Sequence, residues 1–235
     1  FGYTQSQAIQ ARSSLIPIGL ALLFLFGIAP AVLGYVVQEK SEALILVAAA
    51  VVGGYMAMNI GANDVANNMG PAVGGKVLTV ATAVIIAAIC EAAGALLAGG
   101  DVVKTVAKGI VSPGDALDVG KFQIMMLAAL LSAALWINLA TILNAPVSTT
   151  HSIVGGVLGG GIGAAGFSIV NWSTMSKIAA SWIISPLFGG IIAALLLLFI
   201  KKKILNAENR LEGARVWVPI LVGLMGAAFT AYMAI

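Results

Sequence analysis

Two apolar runs, at about 43–60 and 77–99, flank the stretch Asn59-Ile60-Gly61-Ala62-Asn63-Asp64-Val65-Ala66-Asn67-Asn68. Crossing the hydrocarbon core of a bilayer takes about 20 apolar residues in a helix. Lipid offers no partners to an open backbone, so such runs fold as helices. Runs recur at roughly 15–37, 43–60, 77–99, 122–143, 152–170, 177–200 and 216–235, six to seven segments in all. The strands of a membrane barrel would alternate in polarity, and these segments do not. The fold class is therefore all-α: a polytopic helical membrane protein, with broken or re-entrant helices where polar motifs interrupt the runs.

Composition agrees. The chain is 60% hydrophobic and 9% charged, against about 25% charged in a soluble domain, and its mean hydropathy is +1.06. The net charge of +3 reads as membrane topology, not as a nucleic-acid footprint. The single cysteine, Cys90, supports neither an internal disulfide nor a zinc cluster. No catalytic constellation and no cofactor are expected, so the chain is not read as an enzyme. Residues 1–14 are polar, and the following run from Leu15 to Val37 is too long for a signal-peptide core. The sequence does not open on Met, from which a trimmed start is expected.

Excess Lys and Arg mark the cytoplasmic side. Residues 201–215 carry Lys201, Lys202, Lys203, Arg210 and Arg215 against Glu208 and Glu212, and are placed inside. Residues 101–121 balance Asp101, Asp115 and Asp118 with Lys104, Lys108 and Lys121, and are placed outside, which requires 152–170 to span. Gly155, Gly159 and Gly163, and likewise Gly156 and Gly160, recur every fourth residue. Small residues at that spacing let helix backbones approach closely.

An ionised carboxylate at membrane depth costs roughly 2.5–3.5 kcal/mol on insertion scales and is usually kept for a ligand, an ion or a proton. Asp64 is such a group. Asn63 and Asn67 lie four apart, so a helix puts them on one face near it. A carboxylate with amide oxygens is a hard-cation environment, suited to sodium, with a proton as the alternative; a paired structural charge is the plainer reading. The second polar motif is Asn144-Ala145-Pro146-Val147-Ser148-Thr149-Thr150-His151-Ser152. Pro146 should end the preceding helix, and Ser148 or Thr149 should cap the next. That helix's first amides lack internal partners and carry the positive end of the dipole, a seat for a tetrahedral oxyanion. The hydroxyls of Ser148, Thr149, Thr150 and Ser152 add donors; a capped turn at the membrane surface is the alternative. His151 is either a proton carrier or a packing residue. Glu91 either pairs across helices or titrates during transport.

These motifs resemble those of the inorganic phosphate transporter (PiT) family of sodium- or proton-coupled permeases. Gly61 to Asn67 match the Gly-Ala-Asn-Asp-Val-Ala-Asn signature, and Gly74 to Lys76 follow it. Pro146 to His151 match Pro-Val-Ser-Thr-Thr-His, Glu91 to Ala95 match Glu-x-x-Gly-Ala, and Lys108-Gly109-Ile110 also looks like the family. Asn68 and Pro71 depart from the commonest pattern, which keeps a sulfate permease as an alternative; a passive anion channel is another. The resemblance covers about 43–200 and implies a PiT-like repeat there. Around it lie an N-terminal extension with one extra transmembrane helix (1–42) and a basic cytoplasmic linker with a further transmembrane helix (201–235). It implies secondary active transport of inorganic phosphate, in a plasma (inner) membrane. Asn63, Asp64 and Asn67 would bind the cation, with sodium at Asp64 and Asn63. Ser148, Thr149, Thr150 and Asn67 would bind the anion, and Glu91 or His151 would have a coupling role. The family carries each motif twice, in inverted halves, and this chain carries each once. The resemblance therefore implies one half of an inverted-repeat transporter, completed by a missing C-terminal continuation or a partner subunit, with a homodimer as a further arrangement. The apolar end at Ile235 is read as favouring the continuation.

Overall fold

The computed structural model describes residues 2–36, 40–104, 106, 109–112, 114 and 117–233. Lys108 and Asp115, and the last residues of the segments 15–37 and 216–235, lie outside them. Among the described residues seven α-helices follow in order: α1 (Gly2–Val36), α2 (Lys40–Gly74), α3 (Val80–Lys104), α4 (Val119–Ile142), α5 (Thr149–Ala165), α6 (Trp172–Ile200) and α7 (Arg210–Met233). Six helical stretches are long and apolar enough to cross a membrane, which makes this an integral membrane protein. Their outward side chains are large and apolar, as at Phe26, Leu96 and Leu187. In a membrane such surface faces lipid and needs no cover.

The helices fall into two compact units, Phe1–Asn171 and Trp172–Ile235. In the first, α4 packs against both α2 and α5, and α1 lies along α2. One cluster of its core is Met56 of α2 with Ala133, Ala134 and Ile137 of α4, closed over by Ile60, Val147 and Ile153. Small residues on α4 let the neighbouring backbones come close. At Gly156 an added Cβ would lie 2.6 Å from the Ala129 carbonyl oxygen, and at Gly160 3.4 Å from that of Met125. Gly159 and Gly163 face open space. Two stripes one residue apart sit about 100° apart around a helix, so only one of them can face α4. In the second unit, a π-helical turn (Lys201–Leu205) continues α6 and packs against both α6 and α7. Lys203 stands 5.9 Å from the ring centre of Trp217, which meets Phe199 edge-on.

Three sequence expectations change. The helix expected over 43–60 runs through the first polar motif to Gly74, 35 residues without a break. Its amides find partners across to α4, so no backbone group has to leave the helix. The helix before the second motif ends at Ile142, ahead of Pro146. A left-handed Asn144 (φ 54°) closes it, with Ala145 N donating to the Ala140 carbonyl and Asn144 N to the Thr141 carbonyl, the double bond of a Schellman end. Finally, α5 has only 17 residues, roughly 25 Å at 1.5 Å per residue, and falls short of a 30 Å hydrocarbon core. It is not among the candidate spans of the described residues, so the third crossing on which placing 101–121 and 201–215 on opposite sides depends is not one of those spans.

Candidate functional site

The site is built where α2, α4 and the start of α5 meet. The break between α4 and α5 is real: Ser148 is extended (φ −78°, ψ 118°) and its Oγ accepts from His151 N at 3.2 Å, so α5 starts at Thr149. Ser152 Oγ donates back to the Ser148 carbonyl at 2.9 Å. The far end of α5 is tied down by a short antiparallel bridge, where Ser112 N donates to the Ile169 carbonyl and Asn171 N to that of Ile110, each at 2.9 Å. Ile110 and Val111 there are fully buried. A helix held at its end and capped at its start can present its first turn to α2.

Asp64 is half-buried on α2 and accepts from Thr149 Oγ1 at 3.1 Å. The carboxylate thus meets the first residue of α5, at the positive end of that helix. One helical face brings Asn63 and Asn67 together as expected: Asn67 Nδ2 donates to Asn63 Oδ1 at 3.2 Å. Asn63 is 6% exposed and donates from Nδ2 to Thr141 Oγ1 of α4 at 3.3 Å. Thr141 in turn donates to the Ile137 carbonyl at 2.9 Å. One turn earlier on α2, Asn138 Nδ2 donates to Asn59 Oδ1 at 2.8 Å, and Asn59 Nδ2 to the Tyr55 carbonyl at 2.9 Å. Among the described residues no buried polar side-chain atom lacks a partner. Every buried amide here is therefore held in one orientation.

The second motif divides. Thr149 points at Asp64, whereas Ser148, His151 and Ser152 line a cavity of about 550 Å³ together with Ser132 and Trp136 of α4. Thr150 is exposed. A hydroxyl has one proton, so while Thr149 donates to Asp64 it has none for an anion. Glu91 is not brought to this cluster. It is exposed on α3 and lines a cleft of about 680 Å³ whose α2 wall includes Gly61, Val65 and Met69. Sequence reasoning missed Asn138, Thr141, Ser132 and Trp136. The spacing of Asn138 and Thr141, an amide and a hydroxyl three apart in the apolar C-terminal part of α4, was the available signal.

A family model described as Phosphate transporter family matches residues 60–234, reaching through α7, beyond the stretch that carries the motifs. The protein named "Putative phosphate permease" in Helicobacter pylori strain J99 is 53% identical over 218 residues, which cover 93% of this chain and 41% of that protein. A protein named "Putative phosphate permease TK2061" from Thermococcus kodakarensis is 44% identical over 174 residues, 74% of this chain and 43% of its own length. A solved structure titled "The sodium-dependent phosphate transporter" superposes with a TM-score of 0.72 at 40% identity, covering 77% of this chain and 45% of that one. The chain thus spans about two fifths of the length of these curated relatives.

Proposed function

The chain belongs to the phosphate transporter family, and we propose that within a complete transporter it supplies one half of a secondary active carrier of inorganic phosphate driven by sodium. The carrying observation is the Asp64 carboxylate, set among amides and joined to the first residue of α5. Asp64, Asn63 and Asn67 supply carboxylate and amide oxygens for the cation, a donor set suited to a hard ion. The start of α5, with Ser148, Thr150 and neighbouring backbone N–H groups, supplies the anion side, to which Asn67 also contributes. Thr149 stands between the two. A cation beside an anion offsets part of the desolvation that either would face alone at membrane depth, which is a physical reason for coupling. A fixed carboxylate repels anions, which argues against a passive anion channel. Sodium is preferred over the proton because the solved relative at 40% identity is titled sodium-dependent. A second inverted half, as a continuation of the chain or a partner subunit, would complete the site.

Uptake of labelled phosphate into liposomes carrying the complete transporter tests this, under separate sodium and proton gradients and with sulfate as competitor. Accumulation that needs the sodium gradient and resists sulfate is expected. Uptake indifferent to both gradients would show a channel, and uptake following protons alone would replace the ion. Asp64→Asn should abolish gradient-driven uptake while leaving membrane insertion intact; near-normal uptake by that variant would remove Asp64 from the cation site.

A further inference from the structure

We propose that Thr141 is a positioning residue for the coupling cation: a one-way hydrogen-bond relay from the α4 backbone fixes which end of the Asn63 amide faces the site. This rests on the cation assignment made above.

The relay starts at the Ile137 carbonyl, which can only accept. Thr141 donates its one hydroxyl proton there, at 2.9 Å. Toward Asn63 it can therefore act only as an acceptor. Asn63 must present Nδ2 to it, as observed at 3.3 Å. The amide is planar with its two ends opposed, so Oδ1 is turned away from α4 and toward Asn67, whose Nδ2 donates to it at 3.2 Å. A carbonyl oxygen keeps a second lone pair, the donor a hard cation needs. Direction is thus passed from a backbone carbonyl of α4 through a hydroxyl to two amides of α2. At 6% exposure, Asn63 has little water to replace the missing partner.

The neighbouring pair follows the same logic. Asn59 is held by the acceptor-only Tyr55 carbonyl and so shows Oδ1 to Asn138. That clamp keeps α2 and α4 in the register at which Thr141 meets Asn63. Without the Thr141 hydroxyl, the α4 side no longer opposes a half-turn of the Asn63 side chain that would point its N–H₂ at the ion, and only the bond from the exposed Asn67 amide still holds Oδ1 in place.

The test uses the complete transporter in liposomes. Phosphate uptake is titrated against external sodium at saturating phosphate, then against phosphate at saturating sodium. If the wild type follows protons, the first titration is run against pH instead. Thr141→Val is expected to raise the half-saturating cation concentration by about tenfold, the range seen when partners behind an ion's direct ligands are removed. The half-saturating phosphate concentration should stay unchanged, and Thr141→Ser should restore the cation response. If Thr141→Val fails to insert, Thr141→Cys, a weak acceptor, should shift the response in the same direction. A cation response unchanged in Thr141→Val, or shifted equally in Thr141→Ser, overturns the proposal. Asp64→Asn run in parallel separates the two failures. Loss of uptake there with no shift at Thr141 sinks only the relay, while retained uptake removes the cation assignment and the relay with it.

Discussion

Thr149 has one proton and two claimants. In the structure Asp64 holds it, at 3.1 Å, so in the proposed site an anion arriving at the start of α5 would compete with the carboxylate for that hydroxyl. Thr150 is exposed, and in the proposed site it belongs to the anion side alone. The two hydroxyls should therefore differ in substitution. Thr150→Val should raise the half-saturating phosphate concentration and leave the cation response alone. Thr149→Val should disturb both, because Asp64 loses a donor as well; losing one partner of a buried polar pair typically costs about 1–3 kcal/mol. Uptake kinetics for each variant against phosphate and against sodium check this, and an unchanged cation response in Thr149→Val would separate the hydroxyl from the ion.

Of its two glycine stripes, helix α5 turns only that of Gly156 and Gly160 to α4. Gly156→Ala would put a methyl 2.6 Å from the Ala129 carbonyl and must push α4 and α5 apart; overpacking of this kind costs about 1–3 kcal/mol. Gly159→Ala meets nothing within 4 Å and should be neutral or stabilising by up to about 1 kcal/mol through helix propensity. Thermal unfolding in detergent should show a lower midpoint for the first variant only. At the other end of α4, Asp118 caps the helix by accepting from Lys121 N at 2.8 Å and pairs with the Lys121 ammonium. The backbone N–H of Lys121, then its side chain, hold the Asp118 carboxyl below its ordinary value. A depressed folded pKa means that the cap's contribution is complete above the unfolded value and fades as pH falls through the folded one. The melting difference between wild type and Asp118→Ala should accordingly be present at neutral pH and close in acid; because the pair is exposed, added salt should shrink it as well.

At the scale of the molecule, the chain covers 41% of the Helicobacter pylori relative and 45% of the solved transporter. A site made of one carboxylate, a few amides and one helix start encloses neither ion. The 550 Å³ cavity beside Ser148 and His151 and the 680 Å³ cleft beside Glu91 are both open surfaces of the first unit. This chain reconstituted alone should not accumulate phosphate, whereas the complete transporter should. Uptake into liposomes by each, with the mass of the detergent-solubilised species measured, checks this. Gradient-driven uptake by a monomer of this chain would remove the need for a second half.

The all-α membrane class, and the two motifs that mark the family, were determined by sequence alone. Both follow from local chemistry: about 20 apolar residues in a row have few ways to fold in lipid, and a carboxylate among amides is costly there without a purpose. The i, i+4 meeting of Asn63 and Asn67 and the capping by Ser148 are likewise local, and were legible. What lay beyond reach depends on which helix stands beside which. The first motif stays helical because α4 offers Asn138 and Thr141 to its amides, a pairing across more than 70 positions. Thr149 and Ser148 face different surroundings because α2 lies on one side of α5 and a cavity on the other. Gly156 rather than Gly159 became the contact stripe because α4 docks on that face alone. Periodicity states which residues share a face; only packing decides what that face meets.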